Sequence, residues 1–290
     1  TRSDRDWSSD VCSSDLFEAE EIVGQHEMGT PIFLSNDSFN IASRMELGTE
    51  MLIRTQIISN ISLGLAYYSL NRYSDALGYF QSAENISGWD DNQGKEVIYL
   101  LCGNAAGKEN DIVSAELYYK KALKLDPDYA RPFIGLGSVY YIKALQSYEI
   151  SSNINDIDAR SLDQSYLYYQ KAITAKHQPE LSDILPKAHF GLGQYYLVKA
   201  YSENCDTFLD LAFNEFQYTL SDYNDGNNKR ITELAAEAHA RIGLIYEWSG
   251  SYLKASEEYQ QAVNITNNIQ RHDLYSNKIS FLLKKATQTD

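Results

Sequence analysis

Five glycines recur along this chain with the same neighbours at the same offsets. They lie in Leu63-Gly64, Cys102-Gly103, Leu136-Gly137, Leu192-Gly193 and Ile242-Gly243. Three residues after each comes Tyr67, Ala106, Tyr140, Tyr196 or Tyr246. Further on stands a small–aromatic–small triple: Ala76/Phe80/Ala83, Ala115/Tyr119/Ala122, Ser165/Tyr169/Ala172, Ala212/Phe216/Thr219 and Ala255/Tyr259/Ala262. Both halves of the unit have helical periodicity, with large or apolar groups returning on one face. The unit is therefore a pair of helices. A succession of such pairs predicts an open-ended stack in which each pair touches its neighbours.

The residue types explain the pairing. Glycine in the first helix and alanine early in the second let two antiparallel helices approach closely. The aromatic one turn later fills the space beside the crossing. A bulky side chain at either small position would overpack the contact, at about 1–3 kcal/mol.

This pattern resembles the tetratricopeptide repeat, a helical hairpin whose motif runs Leu-Gly-x-x-Tyr, Ala-x-x-x-Phe/Tyr-x-x-Ala, then Pro. The run from Phe133 through Ile134, Gly135, Leu136, Gly137, Ser138 and Val139 to Tyr140 matches the first half. The run from Ala115 to Leu125 ends in Asp126-Pro127, where the family places its helix-stopping proline; the other four repeats lack it. The resemblance implies an all-α, right-handed superhelical solenoid of antiparallel helix pairs. It spans residues 57–269, with repeats at 57–90, 96–129, 130–179, 186–224 and 236–269. Residues 17–56 form an N-terminal helical flank or cap, and 270–290 a capping helix and tail. Two repeats are stretched. Gly137 to Ser165 spans 28 residues and Gly193 to Ala212 spans 19, where the other three repeats have 12. These inserts predict lengthened helices with loops protruding from one edge.

Charge narrows the functional classes. Forty acidic residues against 25 basic ones give a net charge of −15, which argues against binding nucleic acid or anionic membrane through bulk electrostatics. No stretch approaches the 18 or so apolar residues of a transmembrane helix. Three cysteines make no disulfide framework, and Cys102 stands at a packing position. Residues 6–16 look like one reading frame of a sequencing adapter, so 1–16 is expected to be non-native. The rest of the chain then carries −13, because 1–16 holds two arginines against four aspartates. The native N-terminus is expected to be missing, and no localisation is read from this sequence.

In the resembled family, one flank of the first helix lines a concave groove. Carried over by position, the groove residues here are Leu65 and Tyr68, then Asn104 with Leu100 and Lys108. Arg131, Ile134 and Tyr141 follow, with Ser138 among them. Lys187, Phe190 and Gln194 come next with Leu197, and finally Arg241, Leu244 and Trp248 with Glu247. The expectation is a mildly basic groove with aromatic anchors, suited to a protein or peptide partner with acidic groups. The family's two-carboxylate clamp needs a lysine that this chain lacks. Ile61, Leu100, Ile134, Phe190 and Ala240 stand at that position.

No catalytic constellation is evident. His189 and His239 occupy an inter-helix packing position. The sequence contains no His-Glu-x-x-His, no Cys-x-x-Cys and no phosphate-cradling glycine loop. No enzyme, metal or cofactor is expected. The leading expectation is a protein–protein interaction scaffold. The alternatives are a regulatory or sensory domain of a larger protein, such as a kinase, and an envelope-associated assembly factor.

Overall fold

The computed structural model describes residues 51–87, 94–176, 183–224 and 231–289. The adapter-like segment, most of the N-terminal flank, Cys12, His26, Asp90, Asp91 and His177 lie outside the described residues. Within them the chain forms eleven α-helices and no strand. These are α1 (Met51–Ser69), α2 (Tyr73–Glu84), α3 (Lys95–Lys108), α4 (Ile112–Leu125), α5 (Ala130–Ser151), α6 (Ala159–Thr174), α7 (Ile184–Glu203), α8 (Thr207–Asn224), α9 (Thr232–Trp248), α10 (Tyr252–Ile265) and α11 (Ile269–Thr289). Consecutive helices pair as α1/α2, α3/α4, α5/α6, α7/α8 and α9/α10, and α11 packs on α10.

Each hairpin turns through one residue in the left-handed region. These residues are Asn71, Asn110, Ser152, Asn204 and Gly250, with φ of 57°, 60°, 55°, 50° and 78°. Asparagine and glycine tolerate this conformation, which lets the chain leave a helix and reverse. The turns close with backbone bonds back into the helix, such as Asp111 N–H to the Ala106 carbonyl at 2.9 Å and Ser251 N–H to that of Tyr246 at 2.8 Å. The Asp111 side chain then caps α4 by accepting from Ser114 N–H at 3.0 Å.

The hairpin crossings follow the expected chemistry, with one addition. A Cβ built on Gly103 would lie 2.6 Å from the Tyr119 ring, and one on Gly137 2.5 Å from the Tyr169 ring. The same rings are hemmed from the other side by the next hairpin. A Cβ on Gly135 would meet Tyr119 at 2.4 Å, and one on Gly191 would meet Tyr169 at 2.3 Å. Tyr119 and Tyr169 thus sit in slots walled by two glycines from successive first helices. They lock neighbouring hairpins together as well as the two helices of one hairpin. Phe80 and Phe216 have the glycine wall on one side, from Gly64 and Gly193.

The stack is curved. First helices α3 and α5, α5 and α7, and α7 and α9 touch each other, while the main contacts of the second helices are to first helices. First helices therefore line the inner wall, and second helices fan outwards.

The inserts lengthen the helices as the spacing predicts. Helices α5 and α7 have 22 and 20 residues, and α6 and α8 have 16 and 18, against 14 each in α3 and α4. The first insert closes with a 3-10 turn at Ile154–Asp156, and Asp158 N–H bonds back to the Ala144 carbonyl at 2.9 Å. The closing helix runs from Ile269 to Thr289, within one residue of the start of the capping segment expected at 270–290. Asn268 sets that start: its side chain accepts from Gln270 and Arg271 N–H at 3.0 and 3.2 Å.

Candidate functional site

The inner wall is built from the flank of each first helix that faces the next first helix. The residue following each register glycine shows how the wall is made. Asn104 Oδ1 accepts from the Tyr119 hydroxyl at 2.9 Å, and Ser138 Oγ lies 3.2 Å from the Tyr169 hydroxyl. In both cases a ring from the second helix passes through its glycine slot and delivers its hydroxyl to a polar group of the wall. Burial pushes both phenols well above their ordinary pKa, so they stay protonated at any working pH. The third polar residue of the row, Gln194, has Phe216 at the matching position. Its Oε1 is buried without a hydrogen-bond partner.

The remaining wall residues divide by role. Leu65 and Tyr68 are buried in a cluster with Ile57, Ile61, Phe80 and Ile98. Tyr141 and Phe190 belong to the large central cluster, and Phe190 sits edge-on against Phe216 at 5.4 Å. Leu244 is buried as well. These five act mainly in packing. Burial pushes the Tyr141 phenol up, while the Arg241 guanidinium on α9 acts in the opposite direction. Asn104, Ile134, Lys187 and Trp248 keep partial exposure.

The basic groups do not stand alone. Arg131 and Lys187 share Asp183, at 3.4 and 3.0 Å, and Asp183 is fully buried at the start of α7. Burial raises the Asp183 carboxyl, but the two cations outweigh it and hold it below the usual range. Arg241 meets Glu237 at 3.2 Å, and Arg271 of the closing helix meets Glu237 and Glu233 at 3.6 and 3.5 Å. The expectation of a mildly basic groove counted the cations and missed these carboxylates. Asp183 precedes its helix, and Glu237 stands one turn before Arg241. That i, i+4 spacing was the available signal.

A second feature also escaped the sequence reading. Tyr148, Tyr201 and Trp248 rise from α5, α7 and α9, with ring centroids 6.4 and 6.3 Å apart along the row. The lengthened parts of α5 and α7 bring the two tyrosines level with Trp248. An edge of the array thus carries three rings in series.

At the hairpin seams away from the wall, Tyr99 stacks on Tyr118 and Phe133 on Tyr168, with Lys121 and Lys171 over the rings. The same positions in the next two hairpins hold His189 with Glu215 and His239 with Glu258, each pair at 2.7 Å. The histidines thus pack as expected, and each also hydrogen-bonds a carboxylate. Among the described residues no group of three or more His, Cys, Asp or Glu is arranged to hold a metal. Nor is any described helix long and apolar enough to cross a membrane.

Comparison with known proteins agrees with this geometry. Residues 97–129 and 236–269, hairpin α3/α4 and hairpin α9/α10, match the sequence profile of the tetratricopeptide repeat. Among solved structures, TTC0263, a tetratricopeptide-repeat protein of the thermophile Thermus thermophilus, is 16% identical. That match covers 77% of this chain and 98% of that one, with a TM-score of 0.56. YrrB, a repeat protein with an unusual peptide-binding site, is 19% identical, over 76% of this chain and 90% of its own, at a TM-score of 0.43. BtubC from P. vanneervenii is 18% identical, over 79% and 88%, at 0.49. No curated protein matches the sequence. The register glycines, the glycine-walled aromatic slots and the match at two hairpins together make the described chain a tetratricopeptide-repeat solenoid closed by a final helix.

Proposed function

We propose that the chain is a protein–protein interaction scaffold whose inner wall holds an extended segment of a partner. One observation carries this reading. The inner-wall residues Asn104, Ile134, Lys187 and Trp248 keep partial exposure on four successive first helices, while Ser138 and Gln194 are buried. Partly exposed polar groups alternating with an apolar side chain and an aromatic ring suit an extended backbone and its side chains. Acidic side chains on the partner would meet Arg131, Lys187 and Arg241. Each of these already has a wall carboxylate. Partner acidity therefore adjusts affinity, and backbone and apolar contacts supply most of it.

The test is an array of acetylated decapeptides probed with the wild-type chain and with Ile134→Ala/Trp248→Ala. Neither residue is in the buried ion clusters, and the far-ultraviolet circular dichroism and thermal unfolding of the variant check that its helices are intact. The control is Val113→Ser/Leu117→Ser on α4, at side chains 75% and 56% exposed on a second helix. Loss of peptide binding in the wall variant alone is expected. Equal binding by both variants would refute the inner-wall reading.

A further inference from the structure

Helix α11 packs through Tyr275, Ile279 and Leu282, which join a cluster with Ala240, Tyr259 and Ala262. Arg271 and Lys278 mark the edge of that packed face nearest α9. Arg271 pairs with Glu233 and Glu237, and Lys278 pairs with Glu247 at 3.2 Å. Helix α9 lines the inner wall and α10 stands outside it. At 3.6 residues per turn, Leu274 and Phe281 stand about 60° beyond Arg271 and Lys278, past α9 and towards the inner space. They are 49% and 52% exposed. They lie about 10 Å apart along the helix axis, with the Lys278 stem between them. Lys285 continues the row, its ammonium 5.5 Å from the Phe281 ring centre and 4.9 Å from that of Tyr252. The end face of α11, opposite the packed one, exposes Asp273, Asn277, Ser280 and Lys284. A polar end face is what closing an array requires. Capping alone gives no reason for an apolar pair on the inner flank. On the outer flank, exposed Ile269 and Leu283 are about 21 Å apart along the axis and form no such pair.

We propose that α11 is the last rung of the inner wall, and that Leu274 and Phe281 receive one bulky apolar side chain from the end of the bound segment, next to acidic residues. This inference rests on the inner-wall reading and deepens it, because it gives the segment a direction and names the chemistry of one end. Charge supports the acidic neighbours. Arg271, Lys278, Lys284 and Lys285 against Asp273 alone give α11 a charge of +3, in a chain of −15. Carboxylates are therefore drawn to α11 and repelled by the rest of the chain. The apolar side chain would lie over the Lys278 stem and touch Leu274 and Phe281 on either side, removing exposed apolar surface from water.

The experiment elongates the tightest decapeptide from the array by three residues at either end, as Glu-Phe-Glu, Glu-Ser-Glu or Lys-Phe-Lys. At one end, Glu-Phe-Glu should bind the wild-type chain about tenfold tighter than either of the others. Leu274→Ser/Phe281→Ser, with intact helices by circular dichroism, should bring the ratio of Glu-Phe-Glu to Glu-Ser-Glu close to one. Lys285→Glu should independently remove the preference over Lys-Phe-Lys. A wild-type chain that does not discriminate among the elongations at either end would overturn the proposal, as would a ratio unchanged in Leu274→Ser/Phe281→Ser. Sedimentation showing a wild-type dimer and a monomeric Leu274→Ser/Phe281→Ser would also overturn it, since a second copy then covers the flank. The inner-wall reading fails separately, when Ile134→Ala/Trp248→Ala binds every peptide as the wild type does. If no decapeptide binds the wild-type chain, both fall.

Discussion

Gly191→Ala is the sharpest test of how neighbouring hairpins lock. The new Cβ would lie 2.3, 2.4 and 2.5 Å from three atoms of the Tyr169 ring. Ordinary carbon contacts are about 3.5–4.0 Å, so the ring would have to retreat by roughly 1 Å. It cannot do so freely, because the ring also packs against the Gly137 backbone, where an added Cβ would lie only 2.5 Å from it. Overpacking of this kind costs about 1–3 kcal/mol. A displaced ring also strains the hydroxyl contact to Ser138, worth about 1 kcal/mol. Against this, alanine favours a helix over glycine by about 1 kcal/mol. The net expectation is a loss of about 2 kcal/mol. Gly78→Ala is the internal control. That glycine is in the exposed middle of α2 with nothing within 4 Å of an added Cβ, so the same exchange should gain about 1 kcal/mol. Urea unfolding gives the totals, and amide exchange in α6 and α7 localises the loss. This matters because repeat arrays unfold in parts. Gly191→Ala as stable as wild type would refute the two-glycine slot. So would an unchanged loss in the Tyr169→Leu background, where the ring is absent.

Three further outcomes follow from the seams. Glu116 accepts from the Tyr140 hydroxyl at 2.7 Å and from Lys120 and Lys143, joining α4 to α5. Burial raises its carboxyl, but the three donors outweigh burial and lower it from about 4.5 to about 2. A depressed carboxyl stabilises the fold above its ordinary pKa, and that contribution fades as pH falls from about 4.5 to about 2. Glu116→Gln should therefore cost about 1 kcal/mol at pH 7 and flatten the acid limb of the stability–pH curve. Either single change of His239→Phe or Glu258→Tyr should cost about 1–2 kcal/mol, since it strands a half-buried polar partner. The pair made together should recover most of that loss by recreating the stack found between Phe133 and Tyr168, as measured by a double-mutant cycle. Cys102 is fully buried, and burial pushes its thiol well up, so it should resist alkylation in the native chain while half-buried Cys205 reacts. Residue-resolved mass spectrometry would show the difference.

The fold was largely legible because its determinants are local. Gly64, Gly103, Gly137, Gly193 and Gly243 mark close helix crossings, and the aromatic each faces stands at the centre of a small–aromatic–small triple of fixed spacing. The length of α5 and α7 was readable from spacing alone. Gly135 and Gly191 were visible too, two residues before a register glycine. Their role in walling the aromatic of the preceding hairpin depends on the stacking of units, which a single-unit pattern does not encode. The wall was less legible for a related reason. Position told which flank Leu65, Tyr68, Tyr141, Phe190 and Leu244 occupy, but their burial depends on how tightly successive first helices close. Charge was misjudged because Asp183 and Glu237 reach the cations from places outside the groove pattern. The unmet acceptor at Gln194 was the subtlest feature. It required setting one residue against the aromatic of its partner helix and noticing that Phe216 lacks what Tyr119 and Tyr169 have.

The central claim is that first helices, not second helices, carry recognition. Hydrogen–deuterium exchange of the whole chain, with and without the tightest decapeptide, tests it most directly. Binding along the inner wall should slow exchange in α5, α7 and α9 around Ile134, Gln194 and Trp248, and leave α4, α6 and α8 unchanged. Protection confined to α4, α6 and α8, with the first helices unaffected, would contradict the account.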